Sequence, residues 1–208
     1  MLSYSVADFL AYDKSIWLAM VARYLADWWW FGALSGVLLI VGIARWMAPR
    51  ANTAPRLVFL VLSVCWGWIA WRFHWYEHRS LNWAAGYWSL MFAVEAGLLG
   101  LTGALMKARS NPSVAQRTRP RRRASRQLVF GSVAAAFLGP ALIGWWVDAI
   151  PFFGFEWFGL TPDATAFMTL LLLALWRDGR RRVRVALAVV PALSLAVSAV
   201  FSHSLGIN

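Results

Sequence analysis

Two histidines set four residues apart, His74 and His78, stand between two apolar runs in the stretch Trp71–Asn82. If the preceding helix continues through them, both imidazoles lie on one face. Such a pair is a workable start for a first-row metal site, and zinc would need one or two further ligands. Glu77, Asp148, Glu156 and His203 are the candidates to complete it. His74 with His78 or with His203 would equally serve a haem-binding redox protein. The plainer reading is an interfacial helix end whose polar residues are simply wet. No cofactor is required by the sequence.

Glu95 is the second candidate, midway along an apolar run. A charge facing lipid there costs about 3 kcal/mol or more, so the carboxyl is expected to face the bundle and to have a partner or a proton. Its chemistry would be proton or cation relay. Its structural alternative is a neutral acid bonded to a neighbouring helix, with Ser63 or Thr102 as the expected partner. Arg23 and Asp27, again four apart, are expected to form a local ion pair. Thr161-Pro162-Asp163 reads as a helix start, with Thr as N-cap and Pro at the first helical position. A helix N-terminus can also hold an anion, though capping accounts for these residues.

These groups need elements to hold them. Six apolar runs, over about 28–46, 57–71, 83–106, 128–147, 164–176 and 185–203, read as membrane spans. A hydrocarbon core of about 30 Å takes roughly 20 helical residues, and the second and fifth runs are short for that. Backbone groups in lipid must be satisfied internally, which makes the runs helices. Asp13 is placed to cap the first helix. The segment 1–27, interrupted by Arg23 and Asp27, is expected at the interface, and Trp28-Trp29-Trp30 marks a headgroup boundary. The N-terminus lacks the basic region of a signal peptide, so no cleavage is expected. Gly97, Gly100 and Gly103 suit close helix packing in the third run. The expected fold is all-α: a single integral membrane domain with six transmembrane helices and a short N-terminal interfacial helix.

Charge orients it. Arg45, Arg50 and Arg56, the basic loop 107–127, and Arg177, Arg180, Arg181, Arg182 and Arg184 fall on one face. Lys14, Arg23, Arg72 and Arg79 fall on the other. The positive-inside rule puts the richer face in the cytoplasm and both termini in the periplasm of a bacterial inner membrane. All three histidines and most tryptophans then lie outside. The basic loop can meet anionic lipid headgroups. Of the 208 residues, 61% are hydrophobic and 14% charged, far from the roughly 25% charged of a soluble domain. The 20 basic residues against 9 acidic ones sit in short clusters between apolar runs, so nucleic acid is not an expected partner. The single cysteine, Cys65, excludes an internal disulfide. Lys14 and Lys107 lie outside the runs, so no retinal Schiff base is available. No phosphate-binding glycine loop or Gly-x-Ser-x-Gly elbow is present.

Several short motifs resemble a family of bacterial multi-helix membrane proteins catalogued as domain of unknown function 6064, whose members are often labelled permease. They are Ala22-Arg23-Tyr24, His74 followed by Leu81-Asn82-Trp83-Ala84-Ala85, Phe158-Gly159-Leu160-Thr161-Pro162 with Ala164-Thr165-Ala166-Phe167, and Pro191-Ala192-Leu193-Ser194. The resemblance runs in order along nearly the whole chain. It implies a six- or seven-helix inner-membrane protein and no reaction. His74, Asn82 and Arg23-Tyr24 fall on its pattern, whereas Glu77 and His78 do not, which shifts the favoured site from the histidine pair to His74 with Asn82. The leading expectation is a small permease-like or transport-associated protein with a periplasm-facing polar and aromatic site, not obviously an enzyme. The alternatives are a non-catalytic subunit assembled with other membrane subunits, and a metal- or haem-binding redox protein.

Overall fold

The computed structural model describes residues 12–47, 55–106, 157–176 and 179–204. Among them every regular element is helical. Helix α1 is Lys14–Met47. Helix α2 is Arg56–Trp68, and it runs on without a break into a π-helical stretch, Ile69–Glu77, and a closing 3-10 turn, His78–Ser80. Helix α3 is Ala85–Leu105, α4 is Pro162–Leu175 and α5 is Arg181–Ser204. The expected span 128–147, the basic loop 107–127, Asp148 and Glu156 lie outside the described residues.

Four helices are long and apolar enough to cross a membrane: α1, the α2 run Arg56–Ser80, α3 and α5 over Arg181–Phe201. Their outward faces carry exposed Leu and Val, such as Leu34 and Val37 on α1, Leu90, Val94 and Leu101 on α3, and Val185 and Val189 on α5. That is the surface of a membrane protein rather than of a soluble bundle. Two boundaries differ from expectation, the start of α1 and the end of the α2 run, which continues to Ser80. Of the segment 1–27 expected at the interface, residues 14–27 are the first part of α1, because Arg23 and Asp27 interrupt an apolar run without interrupting a hydrogen-bond ladder, and residues 1–11 lie outside the described residues. At 34 residues, α1 is about 51 Å long, well beyond a hydrocarbon core of about 30 Å. Helix α4, with 14 residues, is about 21 Å long and too short to cross alone.

Asp13 does cap α1: its Oδ1 accepts from Ile16 N–H at 3.0 Å and from Ser15 Oγ at 2.7 Å. Those bonds, to Ser15 first, hold the exposed Asp13 carboxyl below its usual range.

Helices α1 and α2 run antiparallel. Trp17 sits on His78, Tyr24 on Phe73, and Phe31 stacks on Trp68 at 4.1 Å. Helix α3 turns back along α2 at close range. A Cβ added to Gly100 would lie 2.7 Å from Ser63 Oγ, and one on Gly103 would lie 3.1 Å from Phe59 Cβ. Gly97, by contrast, faces open space. Hydroxyls join the pair: Ser63 Oγ donates to the Ala96 carbonyl and Ser89 Oγ to the Ala70 carbonyl, both at 2.7 Å. Ala70 lies inside the π-helical stretch, so its carbonyl has a partner on α3 where the regular ladder is widened.

Helix α4 starts deep in the bundle. Thr161 precedes Pro162 as expected, but its hydroxyl donates to Trp157 O at 3.3 Å instead of capping the helix. The hook 157–161 lies against α1 and α2, with Phe158, Leu160 and Thr161 buried. Tyr24 Oη donates to Leu160 O at 3.1 Å, and Gly159 N–H donates to Thr165 Oγ1 at 2.9 Å. Non-helical backbone at this depth is tolerated only where protein covers and satisfies it. From there α4 runs past Trp66, whose Nε1 donates to Thr169 Oγ1 at 3.0 Å, to Trp176, which packs on Phe59. Helix α5 packs along α4, with Ser198 bonded to Asp163, and its Phe201 returns to Trp17.

Gly159 has φ +82, and a Cβ there would meet Ser35 Cβ at 3.1 Å and Cys65 Sγ at 3.2 Å. Gly159→Ala is expected to destabilise the fold by about 1–2 kcal/mol from the left-handed backbone alone, with the two close contacts adding to it. Gly97→Ala is the matched control and should not lower the melting temperature. Thermal unfolding in detergent, followed by tryptophan fluorescence, compares the two.

Candidate functional site

The π-helical stretch ends at the two histidines, and it does not leave them wet. His74 and His78 are each 6% exposed. Their Nδ1 atoms lie 3.3 Å apart. Around them stand aromatic rings from four segments: Trp17 of α1, 4.9 Å from His78; Phe73 of α2, 5.0 Å from His74; Phe92 of α3, 4.9 Å from His74; and Phe201 of α5, 6.5 Å from His78. Four helices thus build a sleeve around one imidazole pair.

The pair is tied outward to two more residues. Tyr12, buried just ahead of α1, places its hydroxyl 3.0 Å from His78 Nε2. Asn82 anchors the turn before α3, where its Oδ1 accepts from Ala84 N–H at 2.9 Å. Its side chain also stands near enough to Tyr12 to lower the phenol slightly. Burial is the larger effect on Tyr12 and pushes its phenol up to about 12. His74 belongs to a three-residue chain, Tyr12, His78 and His74, with Asn82, the other residue favoured from sequence, beside its Tyr12 end. Tyr12 was not a candidate. It lies 66 residues from His78, and no local spacing links them.

The charged residues assemble beside this chain. Glu77 accepts from Arg72 at 2.9 Å through one oxygen and from Arg23 at 3.0 Å through the other. The expected Arg23–Asp27 pair is thus corrected. Arg23 reaches across to α2, where Glu77 is largely buried and carries a second arginine, while Asp27 stays exposed. The Arg72 guanidinium lies 5.1 Å from the centroids of both Trp28 and Tyr76. Arg79 lies 4.0 Å over Trp75.

Glu95 is fully buried, as expected of a carboxyl facing the bundle. Neither of its oxygens has a hydrogen-bond partner among the described residues. The expected partners are engaged elsewhere: Ser63 with Ala96 O, and Thr102 with Leu98 O of its own helix at 2.7 Å. Thr102 satisfies a carbonyl one turn back on its own helix, the local bond open to a helical Ser or Thr, whereas Ser63 reaches across to α3. A carboxyl with no donor opposite it is costly to bury in either protonation state.

For a metal, the described residues bring together two imidazoles and no third ligand. Among them no group of three or more His, Cys, Asp or Glu could hold an ion. Glu77, the nearest expected addition, is held by two arginines. His203 falls in the last turn of α5, two residues beyond Phe201, and its side chain lies outside the described residues.

Two tests follow from this geometry. A tyrosine whose folded pKa is raised from 10 to about 12 leaves stability intact below pH 10 and removes it as pH climbs toward 12, because only the unfolded chain releases the proton in that window. Tyr12→Phe should therefore flatten the alkaline loss of stability between pH 10 and 12, while lowering stability at neutral pH by about 1–3 kcal/mol through the unsatisfied His78 Nε2. Glu77→Gln should cost about 1–3 kcal/mol, because the half-buried Arg72 loses its charge partner. Melting curves across pH and salt read both effects.

No family model, curated protein or solved structure matches this chain, so its functional reading rests on its own residues and their arrangement.

Proposed function

We propose that the chain is a small transport-associated membrane protein, permease-like in build, in which Glu95 is the proton-binding group inside the membrane. The observation that carries this reading is Glu95 itself: fully buried on α3, midway along a helix able to span, with both oxygens unpartnered among the described residues. An ionisable group retained at such a depth is a functional candidate by default, because an apolar residue would pack there without the cost. The polar and aromatic cluster at the Tyr12–His78 end is the site facing the periplasm in this reading. The arginines flanking α1, α2 and α5 at the opposite end support that orientation through the positive-inside rule. Both termini then lie in the periplasm and anionic lipids meet the basic loop.

Reconstitution tests it. Proteoliposomes carrying an internal pH dye, driven by a potassium diffusion potential, should acidify faster than empty vesicles. Glu95→Gln, which keeps the shape and removes the proton-binding group, should abolish the excess rate. An unchanged rate in Glu95→Gln sinks the proposal. A wild-type rate equal to that of empty vesicles, with a second membrane protein co-purifying, would favour the accessory-subunit reading instead.

A further inference from the structure

The hydrogen bonds at the site take one of two opposite directions, set by the tautomers of the two imidazoles. Asn82 Oδ1 is engaged by Ala84 N–H at 2.9 Å, which fixes the amide at the turn before α3. Tyr12 Oη lies 3.0 Å from His78 Nε2, and in one of the two directions the Tyr12 O–H is the donor. A neutral imidazole accepting at Nε2 carries its proton on Nδ1. His78 Nδ1–H therefore faces His74 Nδ1, at 3.3 Å. His74, accepting at Nδ1, carries its proton on Nε2. That Nε2 is buried and has no partner among the described residues. In that direction every donor in the chain points the same way, and the last one has no acceptor among the described residues.

The missing acceptor has a counterpart. His74 packs its ring on Phe92, and Glu95 stands three residues further along α3 from Phe92, about 4.5 Å deeper along the helix axis. The register of α3 on α2 fixes that direction: Ser89 meets Ala70, Phe92 meets Trp66 and Ala96 meets Ser63, so higher numbers on α3 lie further from the histidine end. His74 Nε2 and the two Glu95 oxygens, all without a partner among the described residues, thus flank the same phenylalanine. Each orphan of this kind costs about 1–3 kcal/mol, and a bound water offering two donors and two acceptors removes both deficits together. The aromatic sleeve of Trp17, Phe73, Phe92 and Phe201 closes the sides of the chain. Arg72 and Glu77 are engaged with each other and with Arg23, outside it.

We propose that Asn82, Tyr12, His78 and His74 form a directional proton path that delivers protons through a bridging water to Glu95; it rests on the transport reading above and supplies its entry route. The transfer balances by successive hops. A proton from solvent binds Tyr12 Oη as the Tyr12 proton moves to His78 Nε2. The Nδ1 proton of His78 moves to His74 Nδ1, and the Nε2 proton of His74 moves to the water. The water passes one of its own protons to the Glu95 carboxylate. One proton enters, one is bound at Glu95, and both imidazoles stay neutral with their tautomers exchanged. Asn82 is a positioning residue that fixes the Tyr12 hydroxyl without carrying the proton.

The experiment reads tautomers and flux on the full chain. In nanodiscs with 15N-labelled histidine, His78 should be the Nδ1–H form and His74 the Nε2–H form. Tyr12→Phe should remove the fixed Nδ1–H form of His78. In proteoliposomes, Tyr12→Phe and His78→Gln should each slow the acidification tenfold or more, the second keeping a bond to Tyr12 while being unable to pass a proton from one side of the ring to the other. Two Nε2–H histidines in the unmutated protein overturn the path without any variant needing to fold. Wild-type flux in Tyr12→Phe, with Glu95→Gln inactive, overturns the path and leaves the transport reading standing. No flux in the unmutated protein overturns both.

Discussion

A polar group carried into an apolar helix bundle has no water to fall back on, so each one must be met by another inside the protein. The Tyr24 hydroxyl shows how much structure this constraint can organise. It donates to the Leu160 carbonyl and accepts from Trp68 Nε1, both at 3.1 Å. Three segments far apart in sequence are thereby fixed to one oxygen: α1, α2 and the hook before α4. The small hydroxyls repeat the theme. Ser63, Ser89, Thr102 and Thr169 all donate to backbone carbonyls, and Thr169 also accepts from the Trp66 indole. Against this pattern, His74 Nε2 and both Glu95 oxygens have no partner among the described residues, as do Trp28 Nε1 and the Nε atoms of Arg72 and Arg184.

The histidine end shows a division between charge and neutrality. Formal charges sit on the outer side of the π-helical stretch, where Glu77 lies between two arginines and Arg72 between two aromatic rings. The neutral hydrogen-bonding groups, Tyr12, Asn82 and the imidazoles, occupy the inner side. The nine-residue π-helical segment, Ile69–Glu77, makes this sorting possible. Its wider turn changes which residues share a face, so that His74 and His78 go inward while Trp71, Trp75 and Tyr76 stay exposed.

Much of the fold was legible because lipid imposes long apolar helices with polar ends. The spans of α2, α3 and α5 follow from Leu57–Trp71, Trp83–Met106 and Val185–His203, and the expected length of each agrees within a turn or two except at the α2 end. There the run of polar residues from Arg72 onward hid a helix that continues to Ser80. Residues 14–27 were set apart by Arg23 and Asp27, although a charge on an exposed face does not end a helix. The start of α4 was readable from Thr161-Pro162, whereas the depth of that start was not, because it depends on Tyr24 and Cys65 across the bundle. At the site, His74, His78, Asn82 and Glu95 carried their own signal as polar residues in apolar company. Tyr12 carried none, since its role exists only once α1 lies along α2. The Arg23–Asp27 pairing failed for a related reason: spacing along one helix says nothing of a better partner on the next.

The buried hook before α4 has a consequence for how the chain is built. Its seat is made by Gly32, Ser35, Cys65 and Tyr24, residues of two different helices, so the seat exists only after α1 and α2 have come together. Helix α4 is too short to settle across a bilayer by its own apolar length. The C-terminal part of the chain therefore depends on the N-terminal part as a template, and insertion from the ribosome, which releases α1 and α2 first, follows the order that this dependence requires. Biogenesis in this protein is sequential by geometry: the later helices dock into a place that the earlier ones have already made.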